Sequence, residues 1–164
     1  MIWSVMLLAF VTLERLGELV LARRNTSRLL ARGAVEHGAG HYPLIVLLHA
    51  AWLVGLWWMA WNLPIHPVWL GAFLLLQALR IWVLTTLGDR WTTRIIVVPG
   101  APLVARGPYR WLSHPNYAVV IGEIAVLPLV FGLVWYAVMF SLLNAAVLAI
   151  RVRAENRALA LGQN

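Results

Sequence analysis

The sequence predicts an all-α, polytopic membrane protein with about five transmembrane helices, and three observations predict it. Of 164 residues, 62% are hydrophobic and 12% charged, with a mean hydropathy of +0.80. An ordinary soluble domain carries about 45 to 50% apolar and about 25% charged residues. The apolar residues fall into long runs near the roughly 20 residues that a helix needs to cross a bilayer, so residues 1–164 read as one membrane domain. The third observation is charge placement: all 13 basic residues are arginine, and they cluster beside alternate runs.

The first run, Met1 to Ala22, is apolar except for Glu14, Arg15 and Glu18, and Arg23, Arg24, Arg28 and Arg32 follow it. A cleavable signal peptide carries its charge before the apolar run, so this run reads as a retained helix. Asn25 to His41 is polar and glycine-containing, and Arg24, Arg28 and Arg32 recur every four residues, as on one face of a short interfacial helix. Pro43 opens a second span that reaches Asn62. A turn, Asn62-Leu-Pro-Ile-His-Pro67, leads to a third span from Val68 to Leu87. Trp57, Trp58, Trp61 and Trp69 flank that turn as an aromatic belt. Gly88 to Ser113 reads as a structured loop with an extended patch, Ile95-Ile-Val-Val98, ending at Pro99-Gly100. From Pro115 to Ile150 the chain is apolar again and long enough for two helices folded back at Phe131-Gly132; a polar helical tail, Arg151 to Arg157, extends the last one.

Eleven of the 13 arginines fall at 23–32, 90–110 and 151–157, and none in the two opposite turns. The positive-inside rule then sets the N-terminus outside and gathers the polar loop and tail on the cytoplasmic face of a cell (inner) membrane. Without cysteine the chain has no disulfide, thiolate metal site or cysteine nucleophile, and without lysine no Schiff base or P-loop lysine. The charge of +7 is accounted for by topology, and no basic, aromatic-interleaved surface points to nucleic acid.

The densest chemistry lies in Gly107-Pro-Tyr-Arg-Trp-Leu-Ser-His-Pro-Asn-Tyr117. Pro115 suits the first position of a helix, with Ser113 or His114 as its cap. The free N–H groups there attract an anion. Tyr109, Trp111 and Tyr117 offer faces for an adenine ring or a sulfonium, or alternatively anchor the helix end among headgroups. Arg151 and Glu155 share a helix face at i and i+4, either as a solvated pair or as a site. Glu123 and Arg80 lie inside apolar runs, where ionisable groups are costly, as tunnel or helix-pairing residues; Arg15 and Glu18 are spaced to pair. His49 reads as a hydrogen-bonded helix contact. Glu36, His37 and His41 have metal-like spacing that Gly38 and Gly40 disfavour.

Through Gly107-Pro-Tyr109, His114-Pro-Asn-Tyr117 and Arg151-x-x-x-Glu155-Asn-x-x-Leu159, the last 75 or so residues resemble the integral-membrane methyltransferases typified by isoprenylcysteine carboxyl methyltransferase. The arginines after the first helix and Tyr42-Pro43 resemble a bacterial branch acting on phenolic lipids or alkylpyrones. The resemblance implies S-adenosylmethionine in a pocket at the cytoplasmic face, built from about residue 88 onward, and a lipophilic or lipidated acceptor arriving from the membrane lipids. It implies cofactor contacts from Ala101, Pro102, Leu103, Val104, Tyr109, His114, Pro115, Asn116, Tyr117 and Glu155, with Arg94 near a further contact, and an oxygen-orienting role for Arg151. Glu123 is the candidate for the acceptor's side. Asn156 stands where the family usually has a second glutamate, and the family's Phe-Gly-x-x-Tyr-x-x-Tyr tail has no match after Gly162.

Methyl transfer from a sulfonium is an in-line displacement served by proximity and alignment, and an arginine can aim a carboxylate or phenolate. A phenol, with a pKa near about 10, gains from a base, for which His114 is the nearest titratable residue. Two other readings share the motif: a sterol-type NADPH-dependent reductase, and a lipid-binding protein without catalysis.

Overall fold

The computed structural model describes residues 1–162, which form five α-helices and one two-stranded ribbon. Helix α1 spans Ile2–Ala31. It passes straight through Arg23, Arg24 and Arg28 where a separate interfacial helix was expected, because nothing between Ala22 and Ala31 breaks a helix. Asn25, polar and buried, is held by tertiary bonds: its amide donates to Gly88 O at 3.2 Å and Trp91 O at 2.9 Å. The helix ends in a Schellman turn, with Gly33 at φ +86° and Ala34 N–H donating to Leu29 O at 3.1 Å.

Strand β1 (Val35–His37) pairs antiparallel with β2 (Ile95–Val97), Glu36 opposite Ile96. The extended patch was legible in the sequence; its partner, sixty residues away, was not. Helix α2 (Tyr42–Ala60) and helix α3 (Pro67–Leu87) each begin at or beside a proline. Helix α4 (Pro115–Val130) turns back at Gly132, φ +73°, into helix α5 (Val134–Gly162). His114 occupies the cap position of α4 but makes no side-chain capping bond, and neither does Ser113. A capping role for either is therefore corrected: the His114 ring turns instead toward α5, with Nε2 3.1 Å from Asn156 Oδ1.

Leu8, Trp52, Leu56, Phe73, Ile124 and Leu127 fill the core between the helices, and the Tyr136 hydroxyl crosses from α5 to donate to Trp52 O at 2.8 Å. Large apolar side chains cover the outside instead, with Trp58 85% and Leu75 74% exposed, as lipid contact requires. The helices within Ala39–Ala60, Pro67–Arg90 and Val134–Ala158 are long and apolar enough to cross a membrane, while α4 is apolar but shorter. This is an all-α membrane protein.

Inside the bundle lies a charged cluster. Arg80 (α3), 3% exposed, binds both carboxylate oxygens of Glu123 (α4) and reaches Glu18 (α1) at 2.9 Å. Gln77 donates to Glu123 at 2.9 Å, and Arg15 pairs with Glu18 at 2.9 Å and Glu123 at 3.2 Å. Glu123 thus pairs helices and lines neither of the two cavities described below, so its expected place on the acceptor's side is corrected: every polar atom it has is turned into the cluster.

Candidate functional site

Two cavities back onto each other where the helix ends meet the loops. The larger, about 540 Å³, is walled by Trp91, Thr92, Arg94 to Val98, the strip Ala101 to Ala105, Tyr109, the start of α4 and Arg151, Glu155 and Asn156 of α5. Ala101, Pro102, Leu103, Val104, Tyr109, His114, Asn116, Tyr117, Glu155, Arg151 and Arg94 all lie on this wall. Pro115 does not: it is buried behind the wall as the first residue of α4. The tail motif's Leu159 has a side chain outside the described residues.

Each side chain is set by local structure. Gly107, φ +57°, starts the short 3-10 turn Gly107–Arg110 that carries Tyr109. A Cβ at Gly107 would come within 3.0 Å of Thr86 Cγ2 and 3.3 Å of Trp82 Nε1. Gly107→Ala is therefore expected to cost about 1 to 3 kcal/mol through strain and overpacking, read as a lower midpoint of thermal unfolding in detergent. Arg90 steadies the cavity strip by donating to Pro102 O at 2.7 Å. Arg94 binds Glu36 at 2.8 Å and lies over the Tyr42 ring at 4.6 Å, tying the ribbon to the start of α2.

At the centre stands Tyr117. Its hydroxyl donates to Glu155 and accepts from Arg151 Nε at 2.8 Å, while His114 stacks on its ring with centroids 5.2 Å apart. Arg151 and Glu155 do share a face, but the link between them runs through the tyrosine oxygen. Burial, with the Glu155 carboxylate adding to it, pushes the Tyr109 phenol well above its ordinary value, so Tyr109 remains a hydroxyl donor at working pH.

The smaller cavity, about 310 Å³, lies among α1, α2, α4 and α5 and is mostly apolar, with Leu16, Ile45, Leu53 and Val147 on its wall. His49, Glu18, Arg15 and Arg80 add polar groups. Trp91, Thr92, Asn116, Tyr117 and Arg151 line both cavities and form the partition. Sequence reasoning missed Trp91, Thr92 and this second chamber. Trp91 did leave a signal, a large aromatic in a polar loop, and the structure buries it to 3% exposure where Trp111 of the same loop is 69% exposed.

Fold and site together define a helical membrane protein with a ligand-sized cavity of mixed polarity at one end of its bundle, backed by an apolar one. Residues 69–161 match the model of the isoprenylcysteine carboxyl methyltransferase (ICMT) family. The uncharacterised protein YpbQ of Bacillus subtilis (strain 168) is 40% identical, covering 97% of this chain and 96% of its own length. An uncharacterised protein of Haemophilus influenzae is 24% identical over 88% of each chain. No solved structure matches. The chain belongs to the isoprenylcysteine carboxyl methyltransferase family, and it is a membrane methyltransferase.

Proposed function

We propose that the protein transfers a methyl group from S-adenosylmethionine, held in the larger cavity, to an oxygen of a lipophilic acceptor that enters the smaller cavity from the bilayer. The observation that carries this reading is the shared partition: a chamber of mixed polarity and an apolar one meet at Arg151, Tyr117 and Asn116. The residues fit the cofactor. A volume of about 540 Å³ lies in the range for small-molecule sites. Glu155 offers a carboxylate for hydroxyl or ammonium groups, and the buried Asn116 Oδ1 has no hydrogen-bond partner among the described residues. The arginine distribution supports an inner-membrane protein with its N-terminus outside and this cavity facing the cytoplasm.

When bound, the cofactor supplies an electrophilic methyl on a cationic sulfur. The protein's part is alignment and exclusion of water. Arg151, 8% exposed, keeps its Nε on Tyr117, leaving the rest of its guanidinium to aim the acceptor's oxygen. Tyr117 and Glu155 hold that arginine in place.

Thermal unfolding of the detergent-purified protein with S-adenosylmethionine, S-adenosylhomocysteine or NADPH tests the reading. A ligand at 100 times its dissociation constant adds about 2.7 kcal/mol. Stabilisation by both adenosyl ligands, lost in Glu155→Ala and His114→Ala, is the expected result; stabilisation by NADPH alone, or by none of the three, overturns it.

A further inference from the structure

We infer that His49 is the proton acceptor in this transfer, and that the smaller cavity is consequently a site for hydroxyl-bearing acceptors of the phenol or enol kind, not for carboxylates. The inference rests on the methyl-transfer reading above and narrows it. His49 lies on α2, on the wall of the smaller cavity, and its Nδ1 is 2.8 Å from the backbone oxygen of Ile45, one helical turn earlier. A carbonyl oxygen only accepts, so Nδ1 carries the hydrogen of that bond, and in the neutral ring Nε2 is a bare lone pair. Nε2 makes no hydrogen bond to another side chain or backbone group among the described residues.

What His49 offers an incoming molecule is therefore a place to put a proton. A hydroxyl brings one; a carboxylate brings only lone pairs and gains nothing there. His114 does not fill this role, since it lies on the larger cavity alone and its ring is engaged by Asn156 and stacked on Tyr117. Glu18 of the charged cluster lines the same cavity.

The step balances. The acceptor's oxygen uses a lone pair to form the new O–CH₃ bond as the S–CH₃ bond of the methyl sulfonium breaks, its electron pair returning to sulfur as a neutral thioether. The hydroxyl proton passes to Nε2, so the positive charge that entered on sulfur ends on the imidazolium. Arg151, on the same cavity wall, faces the developing negative charge on the oxygen.

The test compares wild type with His49→Gln and His49→Phe in detergent, using a long-chain meta-alkylphenol and the matching meta-alkylbenzoate as acceptors, with S-adenosylhomocysteine binding followed in parallel by thermal shift. The charged and titratable groups sharing the cavity with His49 are Arg15 and Glu18 from α1, Arg80 from α3, Tyr117 from α4 and Arg151 from α5, with Tyr42 on its own helix. Wild-type transfer to the phenol should rise with pH to a plateau as His49 loses its proton. The variants should bind S-adenosylhomocysteine as wild type does, yet lose about 100-fold in transfer to the phenol at neutral pH. Their rate should recover only as the phenol itself ionises, toward a pH of about 10.

Unchanged phenol methylation in the variants overturns the proposal, as does an equal loss on the benzoate, which would make His49 a cavity-shaping residue only. Binding of S-adenosylhomocysteine by wild type without methylation of the phenol also overturns it and leaves the cofactor reading standing. Absence of S-adenosylhomocysteine binding by wild type fails the methyl-transfer reading itself.

Discussion

Arg151→Ala is expected to reduce methyl transfer by about 100- to 1,000-fold, the range seen when one preorganised polar group at a reacting centre is removed. Arg151 is buried, lies on the partition between the cavities and is fixed through Nε to the Tyr117 hydroxyl. On the proposed reading its removal takes away the positive charge that aims the acceptor, while Tyr117 keeps its bond to Glu155. Binding of S-adenosylhomocysteine by thermal shift should therefore survive far better than turnover. Arg151→Lys separates charge from geometry: the ammonium keeps the charge but has no planar fork to hold Tyr117 and an oxygen at once, so its rate should fall between wild type and alanine. Radiolabelled methyl incorporation into the alkylphenol gives the comparison, and an alanine variant that turns over at the wild-type rate would remove Arg151 from the reaction.

Arg80→Leu should be the most destabilising single change in the bundle. It leaves the carboxylates of Glu123 and Glu18 in an apolar interior with Arg15, more exposed than Arg80, as the one guanidinium pairing with them among the described residues. Breaking a buried ion pair from one side costs about 3 to 5 kcal/mol. Arg80→Leu combined with Glu123→Leu should cost less than the two single changes added together, because the double variant leaves fewer unpaired charges. Unfolding in a detergent-denaturant series checks both statements; simple additivity would mean that the two residues do not act as a pair.

The helices were legible because apolar runs and their Pro or Gly punctuation are local signals. Pro43, Pro67 and Pro115 mark helix starts, and Gly132 marks the turn between α4 and α5. The end of α1 was misread at Asn25, whose polarity is answered by carbonyls of a loop sixty residues on. Val35–His37 is too short to announce itself as a strand without its partner. Part of the larger cavity's wall, Ala101 to Val104, Tyr109, His114, Asn116, Tyr117, Arg151 and Glu155, lies in the motifs, whose residues are close in sequence; Leu29, Trp91 and Thr92 come from elsewhere in the chain. The smaller cavity could not be read, because its wall takes single faces from separate helices, and the side-chain period alone does not say which faces meet. The i,i+4 spacing foresaw that Arg151 and Glu155 share a face; only the packing of α4 on α5 put the Tyr117 oxygen between them.

The larger cavity draws its walls from both ends of the chain: Leu29 from α1, the β2 strand from the middle, and Arg151, Glu155 and Asn156 from near the end of α5. A ribosome making about 5 to 20 residues per second delivers these pieces in order over roughly ten seconds, and the last wall arrives only when the final helix has been made. A nascent chain halted before α5 holds Asn116 and Tyr117 with nothing opposite them. A ligand of the complete cavity would stabilise only the finished topology, because the incomplete chain lacks the α5 part of the wall.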